Sequence, residues 1–100
     1  MILELADIRI HAGQQDAFDA AIQRGIDEVI SKAVGFCSYK INKGIESPER
    51  YVLMIFWDTL ENQTIDFRES AAFLQRRAIV GSFFAVPPVV EHFTLLSQTV

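Results

Sequence analysis

Residues 91–94 read Glu-His-Phe-Thr, and strand alternation puts His92 on one face with Thr94 while Phe93 and Leu95 take the other. An imidazole presented to an apolar cavity is suited to take the proton of a phenol or enol, because its ordinary pKa lies near neutrality. The structural alternative is a histidine satisfied by a backbone group or by Glu91 at the sheet margin. Asp7 and Arg9 share a strand face with Leu3 and Leu5. Two charges can sit on such a face only if paired or ligand-bound, so they are expected to form a structural pair or to line a pocket. Trp57 ends an apolar run and is expected in the core or as a pocket wall. Asn62 falls near a helix start, where capping competes with ligand contact. Tyr39 and Tyr51 each carry a hydroxyl that must find a partner when buried. Arg68, Arg76 and Arg77 are read as mainly solvated charges of helical segments, with anion binding by one of them as the lesser alternative, and His11, beside Gly13, as a turn residue facing solvent. Paired carboxylates at catalytic spacing, a Gly-rich phosphate loop and a Ser/His/Asp signature are missing.

The elements that must position these residues follow from composition and periodicity. The chain has 100 residues, half of them hydrophobic, which fits one domain over residues 1–100 with one core. Net charge is −4 and the nine Lys and Arg residues are scattered, which argues against a nucleic-acid surface. No apolar run approaches the roughly 20 residues of a membrane span. The start of the chain lacks the basic and small-residue pattern of a signal peptide, and a cytoplasmic location is expected. Cys37 is the sole cysteine, which excludes an internal disulfide and a multi-cysteine zinc site, and it is expected to be a small buried hydrophobe.

The pattern predicts β-α-β-β-α-β. Residues 2–10 form a strand with Ile2, Ala6, Ile8 and Ile10 on one face, and Phe18 to Ile30 repeat at helical spacing. Phe36–Lys43 and Tyr51–Trp57 are strands joined by the loop 44–49. Asp58 or Thr59 caps a second helical region that breaks near Glu69-Ser70, with Ser70 capping the part that runs to Val80. Pro87-Pro88 precedes a last strand over residues 89–96. This order favours a ferredoxin-like α+β fold, an antiparallel four-stranded sheet with both helices on one face. The run RYVLMIFW, residues 50–57, does not alternate. Two helices cover one of its faces, so the other is expected to be covered by a second copy of the chain in a homodimer.

The stretch from Gly35-Phe36 through Glu49-Arg50-Tyr51, Trp57-Asp58 and Phe67-Arg68-Glu69-Ser70 to Phe73, with PPVVEHF at residues 87–93, resembles the antibiotic biosynthesis monooxygenase family of the dimeric α+β barrel superfamily. That resemblance implies a dimer and an apolar barrel cavity. Haem-degrading relatives carry an Asn in the first strand, a Trp in the second helix and a haem-ligating His after it. Here Ala6 or Asp7, Phe67 and Arg76 or Arg77 stand in those places, so haem is not expected. Cofactor-independent oxygenases of the family use an Asn and a Trp with which Asn62 and Trp57 are compatible. The resemblance therefore implies a cofactor-independent monooxygenase acting on a small hydrophobic or aromatic metabolite of phenol, quinol or enol type. Neither cofactor nor metal is expected. In that function His92 is the base, and Arg9, Tyr39, Trp57, Asn62, Phe67 and Phe73 shape the substrate cavity. The alternative is a non-catalytic dimeric module that binds or sequesters such a compound.

Overall fold

A computed structural model describes residues 1–99. The strands are β1 (Ile2–Arg9), β2 (Phe36–Lys43), β3 (Arg50–Trp57) and β4 (Val89–Thr94), and the helices are α1 (Gln15–Glu28) and α2 (Ala71–Val80). The four strands form one antiparallel sheet in the order β2-β3-β1-β4, the ferredoxin-like arrangement expected from the element order. The last strand ends at Thr94, two residues before the apolar pattern stops.

Register decides which residues share a face. Leu5 stands opposite Met54, Ala6 opposite Leu53, and Ile8 opposite Tyr51. Tyr51, Leu53, Ile55 and Trp57 of β3 therefore point with Ala6 and Ile8 toward α1, whose Phe18, Ala21, Ile22 and Ile26 complete the core. Burial of these side chains supplies the main stabilisation. Val52, Met54 and Phe56 point the other way with Leu3 and Leu5, and no helix covers them. The unbroken apolar run of β3 thus serves two faces of one sheet.

Tyr51 is fully buried and its hydroxyl donates to Asp19, which also accepts from Lys43 Nζ at 2.7 Å. The pair that Asp7 forms is not with Arg9. Its carboxylate takes two hydrogen bonds from Arg50, its diagonal neighbour on the adjacent strand, at 3.1 and 2.9 Å. Cys37 is exposed, not buried. A register shift between Phe36 and Ser38 turns this edge-strand residue outward, and its thiol donates to Asp58 at 3.1 Å.

Two local devices set the second half. Thr59 Oγ1 accepts from the backbone N–H of Asn62 while Asn62 Oδ1 accepts from the backbone N–H of Thr59, a reciprocal cap like those of Ser/Thr and Glu/Gln. The following turn, Asn62–Phe67, is π-helical, with Arg68 N–H donating to the carbonyl of Gln63. Ser70 then restarts the helix by accepting from Phe73 N–H at 3.3 Å. Only Val80 of α2 is fully buried, so this helix stands off the sheet. Residues 81–88 return beneath it, pinned by Ala85 N–H to the carbonyl of Arg9 at 2.8 Å.

Candidate functional site

The gap between α2 and the sheet is a cavity of about 740 Å³. Its floor is the helix-side face of the sheet, Glu4 and Ala6 of β1, Ile55 of β3 and Val90 of β4. Gln63, Phe67 and Arg68 of the π-helical turn close one wall, Phe73, Arg76 and Arg77 of α2 the roof, and the strap 84–88 the far side. The volume lies in the range of small-molecule sites, and the walls are mostly apolar with a few convergent polar groups.

Each polar group owes its place to periodicity. Glu4 sits between Ile2 and Ala6 in the alternation of β1, so it points into the protein and is 8% exposed. Trp57, diagonal to it on β3, donates its indole N–H to Glu4 Oε1 at 2.9 Å. The other carboxylate oxygen, Oε2, accepts no hydrogen bond among the described residues. No side-chain oxygen or nitrogen there is both sealed from solvent and unsatisfied, so Oε2 reaches the open space of the cavity. Burial raises the carboxyl pKa above its ordinary value. The Trp57 hydrogen bond and the positive charges of Arg76 and Arg68 oppose that rise without cancelling it.

Gln63, 3% exposed, accepts at Oε1 from His92 Nε2–H at 2.6 Å and from Arg68 at 3.4 Å. The wide π turn brings residues five apart onto one side, which lets Gln63 and Arg68 meet. Arg76 is half-buried, and desolvation lowers its guanidinium pKa while the carboxylate of Glu4 acts in the opposite sense. Among the described residues it makes no side-chain hydrogen bond or ion pair.

Of the residues singled out by sequence, Phe67 and Phe73 line the cavity, and their rings lie 5.8 Å apart edge to face. Trp57 is fully buried behind Glu4, and His92 stands behind Gln63, its Nε2 occupied there. Three others lie elsewhere. Arg9 ends β1 on the uncovered face, since odd positions of that strand point away from the helices. Tyr39, on edge strand β2, accepts at its hydroxyl from Gln23 Nε2 at 3.0 Å. Asn62 is spent on the helix cap and on Asp66, and it packs over Gly35.

Glu4 and Gln63 are the polar residues that sequence reasoning passed over, and Arg76 is one that it read as mainly solvated. Glu4 falls in the alternation of Ile2, Ala6 and Ile8, a signal that could have placed it on the buried face. Arg76 follows Phe73 by three and precedes Val80 by four, the spacing of one helix face.

The fold and this cavity define a ferredoxin-like α+β protein with a cavity of small-molecule size beneath its second helix. The chain belongs to the antibiotic biosynthesis monooxygenase family, whose model matches residues 1–78. The uncharacterized protein YczJ of Bacillus subtilis (strain 168) is 31% identical over 93 residues, 93% of this chain and 97% of YczJ. A Bordetella bronchiseptica protein classed with the antibiotic biosynthesis monooxygenases has a crystal structure at TM-score 0.90 and 34% identity, covering 96% of this chain and 97% of its own. The cofactor-independent oxygenase SnoaB of Streptomyces nogalater, solved as a variant, shares the fold at TM-score 0.81 and 13% identity, over 97% of this chain and 94% of SnoaB.

Proposed function

We propose that the protein is a cofactor-independent monooxygenase of a small aromatic or enolic compound, bound between α2 and the sheet, with Glu4 as the proton acceptor. The observation that carries this reading is the free Oε2 of Glu4 on the wall of an apolar cavity. A carboxylate whose pKa is raised by burial is a stronger base than one in water, and it meets the ligand directly where His92 meets Gln63. Deprotonation leaves a phenolate or enolate whose carbon is electron-rich enough to reduce dioxygen. At a CH₂ flanked by that system the balance is CH₂ + O₂ → C=O + H₂O. The substrate supplies all four electrons, one oxygen atom enters the product and the other leaves as water. Gln63, held by His92 and Arg68, fixes the wall beside the reacting face, and Phe67 and Phe73 exclude water from it. A second copy of the chain, covering the face of Leu5, Met54 and Phe56, would complete a closed two-fold dimer.

The test is oxygen uptake by chelator-treated protein with a panel of anthrones, dihydroxynaphthalenes and quinols. At least one compound is expected to consume dioxygen in a protein-dependent, one-to-one reaction, and Glu4→Gln to slow it about 10²-fold or more. Binding without turnover across the panel would instead support a sequestering module, the reading favoured by the imidazole's engagement with Gln63. Turnover unaffected by Glu4→Gln would remove Glu4 as the base.

A further inference from the structure

The charge inside the cavity is opposite to that of the chain. The protein carries net charge −4, yet three arginines line the cavity against one carboxylate, Glu4, with Arg76 half-buried and Arg68 and Arg77 exposed at the rim. That carboxylate is already engaged by Trp57 and forms no ion pair with any of them. Arg68 gives one N–H to Gln63 at 3.4 Å, and the guanidinium of Arg76 has no side-chain partner among the described residues. Arg76 feels the carboxylate of Glu4 only at a distance, and a half-buried cation with no hydrogen-bonded counter-ion is costly, a cost recovered when a ligand brings one. Nothing in the reaction above requires three cations, because a single phenolate or enolate is matched by one.

We infer that the substrate carries a carboxylate group on its aromatic or enolic body, and that Arg76, with Arg68 and Arg77 around it, selects for that group. This deepens the proposed function and rests on it for the identity of the ring system. Planarity argues for a carboxylate over a phosphate ester. A guanidinium fork matches the two oxygens of a carboxylate lying near the plane of an aromatic ring, and Phe67 and Phe73 offer flat apolar surface to that ring. Phosphate sites of backbone amides at a glycine-rich loop have no counterpart among the cavity residues, whose one glycine, Gly81, lies inside a helical segment. The geometry also divides the labour. Glu4 stands on the sheet floor and the arginines on the helical wall and roof, so a ligand spanning the cavity presents its acidic C–H or O–H to one side and its carboxylate to the other.

Equilibrium binding without oxygen separates this selectivity from the chemistry. Anaerobic calorimetry at low salt would compare 6-hydroxy-2-naphthoate, whose phenol and carboxylate stand at opposite ends of the ring system, with 2-naphthol and with 6-hydroxy-2-naphthyl phosphate. The naphthoate is expected to bind at least tenfold more tightly than the naphthol and more tightly than the phosphate. In Arg76→Met the naphthoate-to-naphthol ratio is expected to fall at least tenfold toward unity, and in Arg76→Lys, which keeps the charge but not the fork, to fall by a smaller factor. Equal affinity of the pair for the wild-type protein, or an unchanged ratio in both variants, would overturn the inference. Tighter binding of the naphthyl phosphate would overturn the assignment to carboxylate. Oxygen uptake with neutral anthrones tests the reaction independently, so loss of one reading leaves the other standing.

Discussion

Trp57 and Glu4 form a diagonal pair across β3 and β1, the indole N–H donating to Oε1 at 2.9 Å while Oε2 is left to the cavity. The arrangement keeps a carboxylate in the floor of the cavity, across from the arginines of its helical wall. One oxygen is tied and the other is available for chemistry.

Trp57→Phe tests what the tie contributes. The variant keeps a ring beside Phe36 and Phe67 but removes the indole N–H that donates to Glu4. An unsatisfied buried acceptor costs about 1–3 kcal/mol, and truncating the indole adds a packing loss of similar size. Urea denaturation should therefore show a destabilisation of about 2–4 kcal/mol. The hydrogen bond favours the ionised carboxylate, so the acid limb of any turnover should move to higher pH. An unmoved limb would mean that Glu4 is not the titrating base.

Glu4→Gln makes the stability argument with its sign explicit. The folded pKa of Glu4 lies above the ordinary value of 4.5, first because of burial. The protonated form is therefore favoured by folding. Its contribution is fully present below the unfolded value and is lost as pH rises through the folded one. Gln does not titrate and still offers an acceptor to Trp57. The stability of Glu4→Gln relative to wild type should rise between pH 4.5 and the folded pKa and then level off. A difference that falls over this window would mean that Trp57 and the arginines outweigh desolvation.

The fold was legible because its signals are periodic. Alternation in β1, helical spacing from Phe18 to Ile26 and the cap at Ser70 each act locally, and the structure shows the elements they predict. The uncovered face was legible too, since β3 is apolar on both sides. The cavity was only half visible. Phe67 and Phe73 announce themselves as aromatic residues on helices, whereas Arg76 looks like any charge on a solvated helix until α2 is seen to stand off the sheet. Glu4 was hidden for a different reason. A single acid in an apolar strand is ordinarily assigned to solvent, and its partner, Trp57, lies 53 residues away. Arg9, Tyr39 and Asn62 were singled out by residue type, but edge position, strand parity and capping decide where they point.

Gly35→Ala is expected to be costly for two reasons. Gly35 adopts φ of +82°, a left-handed conformation that L side chains rarely take, and an added methyl would collide with the side chain of Asn62. Strain of the first kind alone costs about 1–3 kcal/mol. Displacing Asn62 would also undo its cap on Thr59 and loosen the π-helical turn that carries Gln63. Thermal unfolding should show a large loss in Gly35→Ala, and Asn62→Gly in the same background should recover part of it by removing the collision. No recovery would assign the whole cost to the backbone.

The uncovered sheet face yields the remaining prediction, through two neighbouring residues of opposite parity. Leu53 is 1% exposed and faces α1, whereas Met54 faces away from both helices, beside Leu5. Val89 and Phe93 of β4 extend this face and are 60% and 44% exposed. The apolar centre of this face, with Leu3, Leu5, Val52, Met54 and Phe56, is rimmed by Lys40, Glu91 and the Asp7–Arg50 pair, a pattern that marks an interface, and a two-fold dimer needs only one self-complementary patch. Sedimentation equilibrium at micromolar concentration should give twice the chain mass. Met54→Asp should give a monomer that retains its circular dichroism, because the new carboxylate is solvated once the partner leaves. Leu53→Asp should instead unfold the protein at any concentration, since an unpaired charge would be placed in the core. A wild-type monomer with an intact fold would sink the dimer, and a Met54→Asp variant that stays dimeric would move the interface off this face.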